Sequence, residues 1–208
     1  MNRNPLWRVL YIDASEKQKN QERRNVMEDK ELVTAFLNGR TEAFSEIFEK
    51  YYGEALRIAY LITGSKCDSE YVVQDAFIKC YEKMPSLKNP EKFKYWFFRI
   101  LTRTAWRYCG KQKREQPVAR VFDSEITSHD KSSFEILAEQ ETASEIKQAV
   151  EKLDPKQKTV IVLYYYNEFS VKEIAEIMHC TQGTVKSRLF HARKKLGKIL
   201  SPMSERSF

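Results

Sequence analysis

Apolar residues in this chain recur at three- and four-residue steps, and the steps are interrupted by helix caps and breakers rather than by strand-like alternation. Leu32, Phe36, Phe44, Ile47, Phe48 and Tyr51 follow this rule with a break near Asn38-Gly39, and Leu56, Ala59, Tyr60 and Ile62 extend it to Thr63-Gly64-Ser65. Asp68 or Ser69 can cap the next helix, whose inner face is Val73, Phe77, Cys80 and Met84, and Pro85 ends it. Asn89 caps a further helix with Pro90 at its start, and Phe93, Trp96/Phe97, Ile100, Thr104 and Tyr108 form its stripe. No segment carries a competing period of two. The expectation is an all-α fold.

Periodicity also divides the chain. Residues 1–26 are polar and without a sustained stripe, apart from Leu6, Trp7, Val9, Leu10 and Ile12, and read as a disordered, dispensable extension. Residues 27–114 read as a first helical domain. Residues 115–138, with Pro117 and a Ser/Thr/Asp-rich stretch, read as a flexible linker. Residues 139–203 read as a second helical domain. It opens with Ala143, Ile146, Val150 and Leu153 and continues through Asp154-Pro155, a cap followed by a first-turn proline. Ser170 and Glu173 make a capping box for a short helix with Ile174, Ala175 and Met178 inside. After a turn at His179-Cys180, Thr181 caps a last helix reaching about Leu200, with Val185, Leu189, Ala192 and Leu196 inside.

Composition excludes several classes. Six Gly and six Pro in 208 residues rule out collagen-like and low-complexity chains. The four cysteines, at 67, 80, 109 and 180, have no zinc-like spacing and read as reduced thiols. The longest apolar run, residues 160–166, is far short of the roughly 20 needed to span a bilayer. A cytoplasmic protein is expected. The three histidines are scattered, and neither a phosphate-binding glycine loop nor a metalloprotease motif occurs. The expectation is therefore no catalytic residues, no metal and no cofactor. The formal charge of +7 favours a polyanionic partner.

That charge is concentrated on two helices. Residues 92–114 hold eight basic residues, no acid and seven aromatics. At 100° per residue, Tyr95, Phe98 and Trp106 fall off the buried stripe and near Arg99, Arg103 and Arg107. Cations attract phosphates and exposed rings stack on unpaired bases, so this face suits single-stranded nucleic acid. The plainer alternative is a solvated basic face with its rings packed on a neighbouring helix. The last helix carries Lys186, Arg188, Arg193, Lys194, Lys195 and Lys198 and no acid before residue 201. A short capped helix, a tight turn and a basic helix make a helix-turn-helix, with Lys186, Ser187, Phe190 and His191 opposite the inner stripe. A third face, on residues 69–83, exposes Ile78 among Glu70, Gln74 and Asp75 and suits a protein partner.

From about Glu28 to Leu200 the chain resembles bacterial RNA polymerase sigma factors of the extracytoplasmic function group. Residues 68–81 resemble the family's polymerase-binding helix, and residues 93–100 its melting and −10 helix. Residues 153–160 and 170–178 resemble the start of its −35-binding domain, and residues 183–196 the recognition helix. The resemblance implies two helical domains, named region 2 and region 4, that bind core RNA polymerase and promoter DNA. Glu70, Gln74, Asp75 and Ile78 would face polymerase. Leu87, Lys88, Tyr95, Phe98, Arg99, Arg103, Trp106 and Arg107 would face the melted −10 strand. Thr181, Gln182, Thr184, Lys186, Ser187 and Arg188, with Phe190, His191 and Arg193, would face the −35 duplex. An anti-sigma factor, often membrane-bound, and an envelope-stress role are also implied. The chain departs from the pattern at Arg103, where an Asn that helps read a −10 base is common, and at His179. Two rival readings are a dimeric helix-turn-helix repressor or activator on duplex DNA and a single-stranded RNA-binding module.

Overall fold

The computed structural model describes residues 28–115 and 148–204, with side-chain surroundings for residues 28–111 and 148–200. The N-terminal extension, linker residues 116–138 and the stripe positions Ala143 and Ile146 lie outside the described residues, whereas Glu115, expected to open the linker, is helical. No strand occurs among the described residues.

The first unit is a helical bundle of α1 (Asp29–Leu37), α2 (Ala43–Thr63), α3 (Lys66–Lys83) and α4 (Phe93–Glu115). Glu28 and Glu31 form a reciprocal capping box at the start of α1. Gly64 ends α2 at φ 80°, a left-handed conformation that glycine adopts without a Cβ penalty. The cap of α3 is Ser65, whose Oγ accepts the Asp68 backbone N–H at 3.3 Å. This corrects the expected cap at Asp68 or Ser69. Asp68 instead sits in the first turn, and its carboxylate accepts the Tyr108 hydroxyl at 2.7 Å. Two 3₁₀ turns, Met84–Ser86 and Pro90–Lys92, carry the chain into α4.

The core of this bundle is aromatic. Phe93, Phe97 and Phe98 are fully buried around Tyr51, with ring centroids 5.5, 5.6 and 5.9 Å from the tyrosine. Tyr51 in turn donates its hydroxyl to Asp29, tying α2 to α1.

The second unit follows the expected caps closely. Asp154 and Gln157 form a capping box on α5 (Pro155–Ile161), which widens into a π-helical turn, Val162–Tyr166. Such widening was not legible in the sequence. Ser170 and Glu173 cap α6 (Val171–Met178) reciprocally, at 2.7 and 3.3 Å. His179 closes α6 at φ 52°, a left-handed position that histidine tolerates better than β-branched residues. Thr181 then accepts the Thr184 N–H at 3.2 Å to start α7 (Gln182–Ser204). Val185, Leu189, Ala192 and Leu196 of α7 are all buried, as the spacing predicts.

The two units pack on one another. α4 runs along α6 and touches α5, while α2 meets α5 and the π-helical turn. Phe169, buried between α6 and the π-helical turn, places its ring 5.9 Å from Phe98 and 6.3 Å from Tyr95.

Candidate nucleic-acid interface

The α7 face opposite the core is open. Lys186, Ser187, Phe190 and His191 are exposed, and Phe190 keeps 61% of its surface in solvent. The Phe190 ring lies edge-on to His191 with centroids 5.4 Å apart. Thr181 and Gln182 at the helix start are exposed, and Thr184 is half-buried, its hydroxyl 2.9 Å from that of Thr181. Arg188 is half-buried, with Nη1 3.8 Å from the Cys180 sulfur. The Arg193 guanidinium lies 5.4 and 5.3 Å from the Tyr164 and Tyr165 ring centroids, a cation–π arrangement made by the π-helical turn. Lys195 is turned back onto the Lys152 carbonyl. The helix thus projects a central exposed row with cations on its flanks.

On α4 the outcome is different. Arg103 and Arg107 are exposed, as expected. Phe98 is 0% exposed, which corrects its assignment to the nucleic-acid face. Three neighbours on a flat helical wheel do not reveal that Tyr51 and Phe169 enclose it from two sides. Tyr95, Arg99 and Trp106 are half-buried because the second unit covers them. The Tyr95 hydroxyl donates to Glu173 Oε1 at 2.7 Å, and Trp106 Nε1–H donates to Thr159 Oγ1 at 2.9 Å. Arg99 donates through Nε and Nη2 to the Glu176 carbonyl at 3.1 and 2.7 Å. That carbonyl lies in the last turn of α6, where it also accepts the His179 backbone N–H at 3.3 Å and where a cation is favoured.

The electrostatics follow this cover. The hydrogen bond to Glu173, with burial second, pushes the Tyr95 phenol up to about 12. Burial, then the nearby Arg103 charge, lowers Arg99 from its ordinary value, against the opposing pull of Glu176. Hydrogen bonds from Ser170 and Tyr95 hold the Glu173 carboxyl below the usual carboxylate value. In the connection before α4, Leu87 is half-buried against the core and Lys88 is exposed.

The α3 face forms a separate surface. Gln74 is exposed, Ile78 is 59% exposed, and Glu70 and Asp75 are half-buried, with Asp75 bound to Lys79. Tyr71 and Tyr81, 57% and 47% exposed, extend it at helical spacing. The three-four spacing from Tyr71 through Gln74 and Ile78 to Tyr81 could have revealed both tyrosines. Among the described residues no acid, His and Cys cluster could hold a metal ion, and no described helix is long and apolar enough to cross a membrane.

Comparisons with known proteins give the family. The chain matches "Sigma-70 region 2" over residues 47–115 and "Sigma-70, region 4" over residues 143–196. It is 30% identical to the ECF RNA polymerase sigma-E factor of Haemophilus influenzae, across 84% of this chain and 96% of that protein. It is 29% identical to the ECF RNA polymerase sigma factor SigW of Bacillus subtilis, across 82% and 96%. Two solved structures share the fold. The sigma factor RpoE in complex with the anti-sigma factor NepR from Bartonella quintana has a TM-score of 0.60 at 24% identity, over 76% of this chain and 96% of that one. CnrH in complex with the cytosolic domain of CnrY has a TM-score of 0.61 at 22% identity, over 84% and 97%. Two matched regions in the expected order, and relatives covered nearly end to end, mean that the chain belongs to the extracytoplasmic function group of the sigma-70 family and directs promoter-specific transcription initiation by RNA polymerase.

Proposed function

We propose a division of labour among the three surfaces. The α3 face with Glu70, Gln74, Asp75 and Ile78, extended by Tyr71 and Tyr81, docks on core RNA polymerase. Leu87, Lys88, Arg103 and Arg107, joined by Tyr95, Arg99 and Trp106 once these are uncovered, hold the melted −10 strand. Lys186, Ser187, Phe190 and His191 read −35 base edges in the major groove, Thr181, Gln182 and Thr184 place the helix end, and Arg188 and Arg193 take phosphates. The chain supplies specificity and polymerase supplies the chemistry, so it acts without catalytic residues of its own, in the cytoplasm. An anti-sigma protein restrains it in an envelope-stress circuit. That last element is supported by the solved complexes of RpoE with NepR and of CnrH with CnrY.

The observation that carries this reading is the exposed row on α7, with Phe190 at 61% exposure among cations. In vitro transcription from a promoter library with purified core polymerase tests it. Added protein should select a single class of promoter with two separated elements. Selection of promoters without a −35 preference would reject the α7 assignment.

A further inference from the structure

We propose that Lys30, in the first turn of α1, is a positioning residue for −10 selectivity: its ion pair with Glu91 fixes the turn that presents Leu87 and Lys88 to the melted strand. This rests on the assignment of that connection to the −10 strand. Leu87, Lys88 and Asn89 form the irregular span between the two 3₁₀ turns. Hydrogen bonds close the turns on either side of it. The Leu87 N–H donates to the Met84 carbonyl at 2.9 Å, and the Lys92 N–H to the Asn89 carbonyl at 3.0 Å. Asn89 Oδ1 accepts the Glu91 N–H at 2.9 Å, which locks Glu91 to the end of the span. Glu91 Oε1 in turn accepts from Lys30 Nζ at 2.9 Å, across 61 residues of chain.

Lys30 stands on a fixed base. Beside it, Asp29 accepts the Tyr51 hydroxyl and pairs with Lys50 at 2.7 Å, and Tyr51 is buried in the aromatic core. The Glu28–Glu31 capping box holds the same turn of α1. Lys30 therefore carries the anchorage of α1 on α2 across to the turn before α4. Between α1 and that turn lies a cleft of about 320 Å³, lined by Glu28, Asp29, Lys30, Lys50 and Glu91. It leaves the turn room to shift once the bridge is cut. The Lys30 and Glu91 side chains keep 59% and 63% of their surface in solvent, and exposed pairs contribute little to stability. Losing this one displaces a loop rather than unfolding the bundle, and a small displacement of groups that meet bases is enough to change a preference.

Two substitutions of opposite charge sense separate positioning from simple electrostatics. Lys30→Met lowers the net charge by one unit, and Glu91→Gln raises it by one. A purely electrostatic account expects them to act on DNA in opposite directions. Positioning expects both to shift relative initiation across a panel of single-base −10 variants in the same direction, by about two- to fivefold, with preferences over a −35 panel unchanged. The assay uses the full-length chain with core polymerase. In the free chain, amide exchange at Lys92 should be faster in both variants, because the loosened turn opens its bond to Asn89. Lys30→Glu with Glu91→Lys reverses the pair, keeps the net charge and should restore both readouts to those of the parent. A uniform fall on every promoter, parent-like −10 preferences in both single variants, or shifts of opposite sense overturn the proposal. Leu87→Ala and Lys88→Ala in the same panel test the assignment beneath it. If they shift the −10 preference and Lys30→Met does not, the positioning role alone is rejected. If neither shifts it, the connection does not read the −10 strand and both readings fall.

Discussion

Phe98 shows how a single side chain can change roles between sequence and structure. Its ring touches Tyr51 on one side and Phe169 on the other, so truncation leaves a cavity shared by both units. Phe98→Ala is expected to cost about 3–5 kcal/mol, read by chemical denaturation. A ring left in solvent to stack on bases would cost far less. On α7 the expected contrast is between Lys186 and Arg193. On the proposed reading Lys186 meets a base, and Lys186→Ala should relax selectivity at the −35 element by about 1–3 kcal/mol. On the same reading Arg193 meets a phosphate, and Arg193→Ala should weaken all −35 variants alike. A binding series over single-base variants distinguishes them, and equal effects of the two substitutions on every variant would reject the assignment. Glu173 adds a pH signature. Its folded carboxyl titrates below the ordinary 4.5, held there first by Ser170 and then by Tyr95. A depressed folded value contributes stability above the unfolded value and loses it as pH falls through the folded one. Melting temperature should therefore fall on acidification below about pH 4.5 more steeply in the parent than in Glu173→Gln.

Among the elements, the short ones were most legible. Asp154, Ser170 and Thr181 cap α5, α6 and α7 as their spacing indicates, because a cap is a local exchange between one side chain and nearby backbone N–H groups. Ser170→Ala should cost about 1 kcal/mol and loosen α6, measurable as faster amide exchange in residues 171–174. The inner stripe of α7 was equally legible, since one neighbouring surface buries one face. α4 was not, because it has two neighbours. A helix pressed by its own bundle on one side and by α6 on the other buries more than one stripe, and a single 3.6-residue period cannot describe it. The cap of α3 was misplaced for a different reason. Ser65, Asp68 and Ser69 are all competent caps, and the glycine termination of α2 at Gly64 decides among them. On α3, Gln74 and Ile78 are exposed and remote from the core. Replacing both by Ala should leave helicity intact and weaken capture by core polymerase by roughly tenfold, as expected when a central apolar contact is lost from an interface. Unchanged capture in a pull-down would move the docking site elsewhere.

At the scale of the whole molecule, the charge of +7 is less available to DNA than its count suggests. On α4, Arg99 is spent on the α6 carbonyl, and Lys92, in the turn before it, on Glu176. On α7, Lys195 turns back to Lys152, whereas Lys186, Lys194 and Lys198 are exposed and Arg193 rests on two tyrosines at the surface. Binding of the isolated chain to duplex DNA should then depend on few phosphates. Each neutralised phosphate contributes about −0.9 to the slope of log K against log salt, so four or so contacts give a slope near −4. Arg193→Ala should make that slope shallower by about one, while Ser187→Ala should leave it unchanged and alter affinity at every salt equally. Tyr164→Ala gives a finer reading of the π-helical turn. If the rings orient Arg193, the variant keeps the salt slope, because the charge remains, yet loses affinity through a less ordered guanidinium. A titration across salt concentrations that finds the same slope for the parent and Arg193→Ala would place that arginine away from the phosphates and leave the flank of α7 to Lys194.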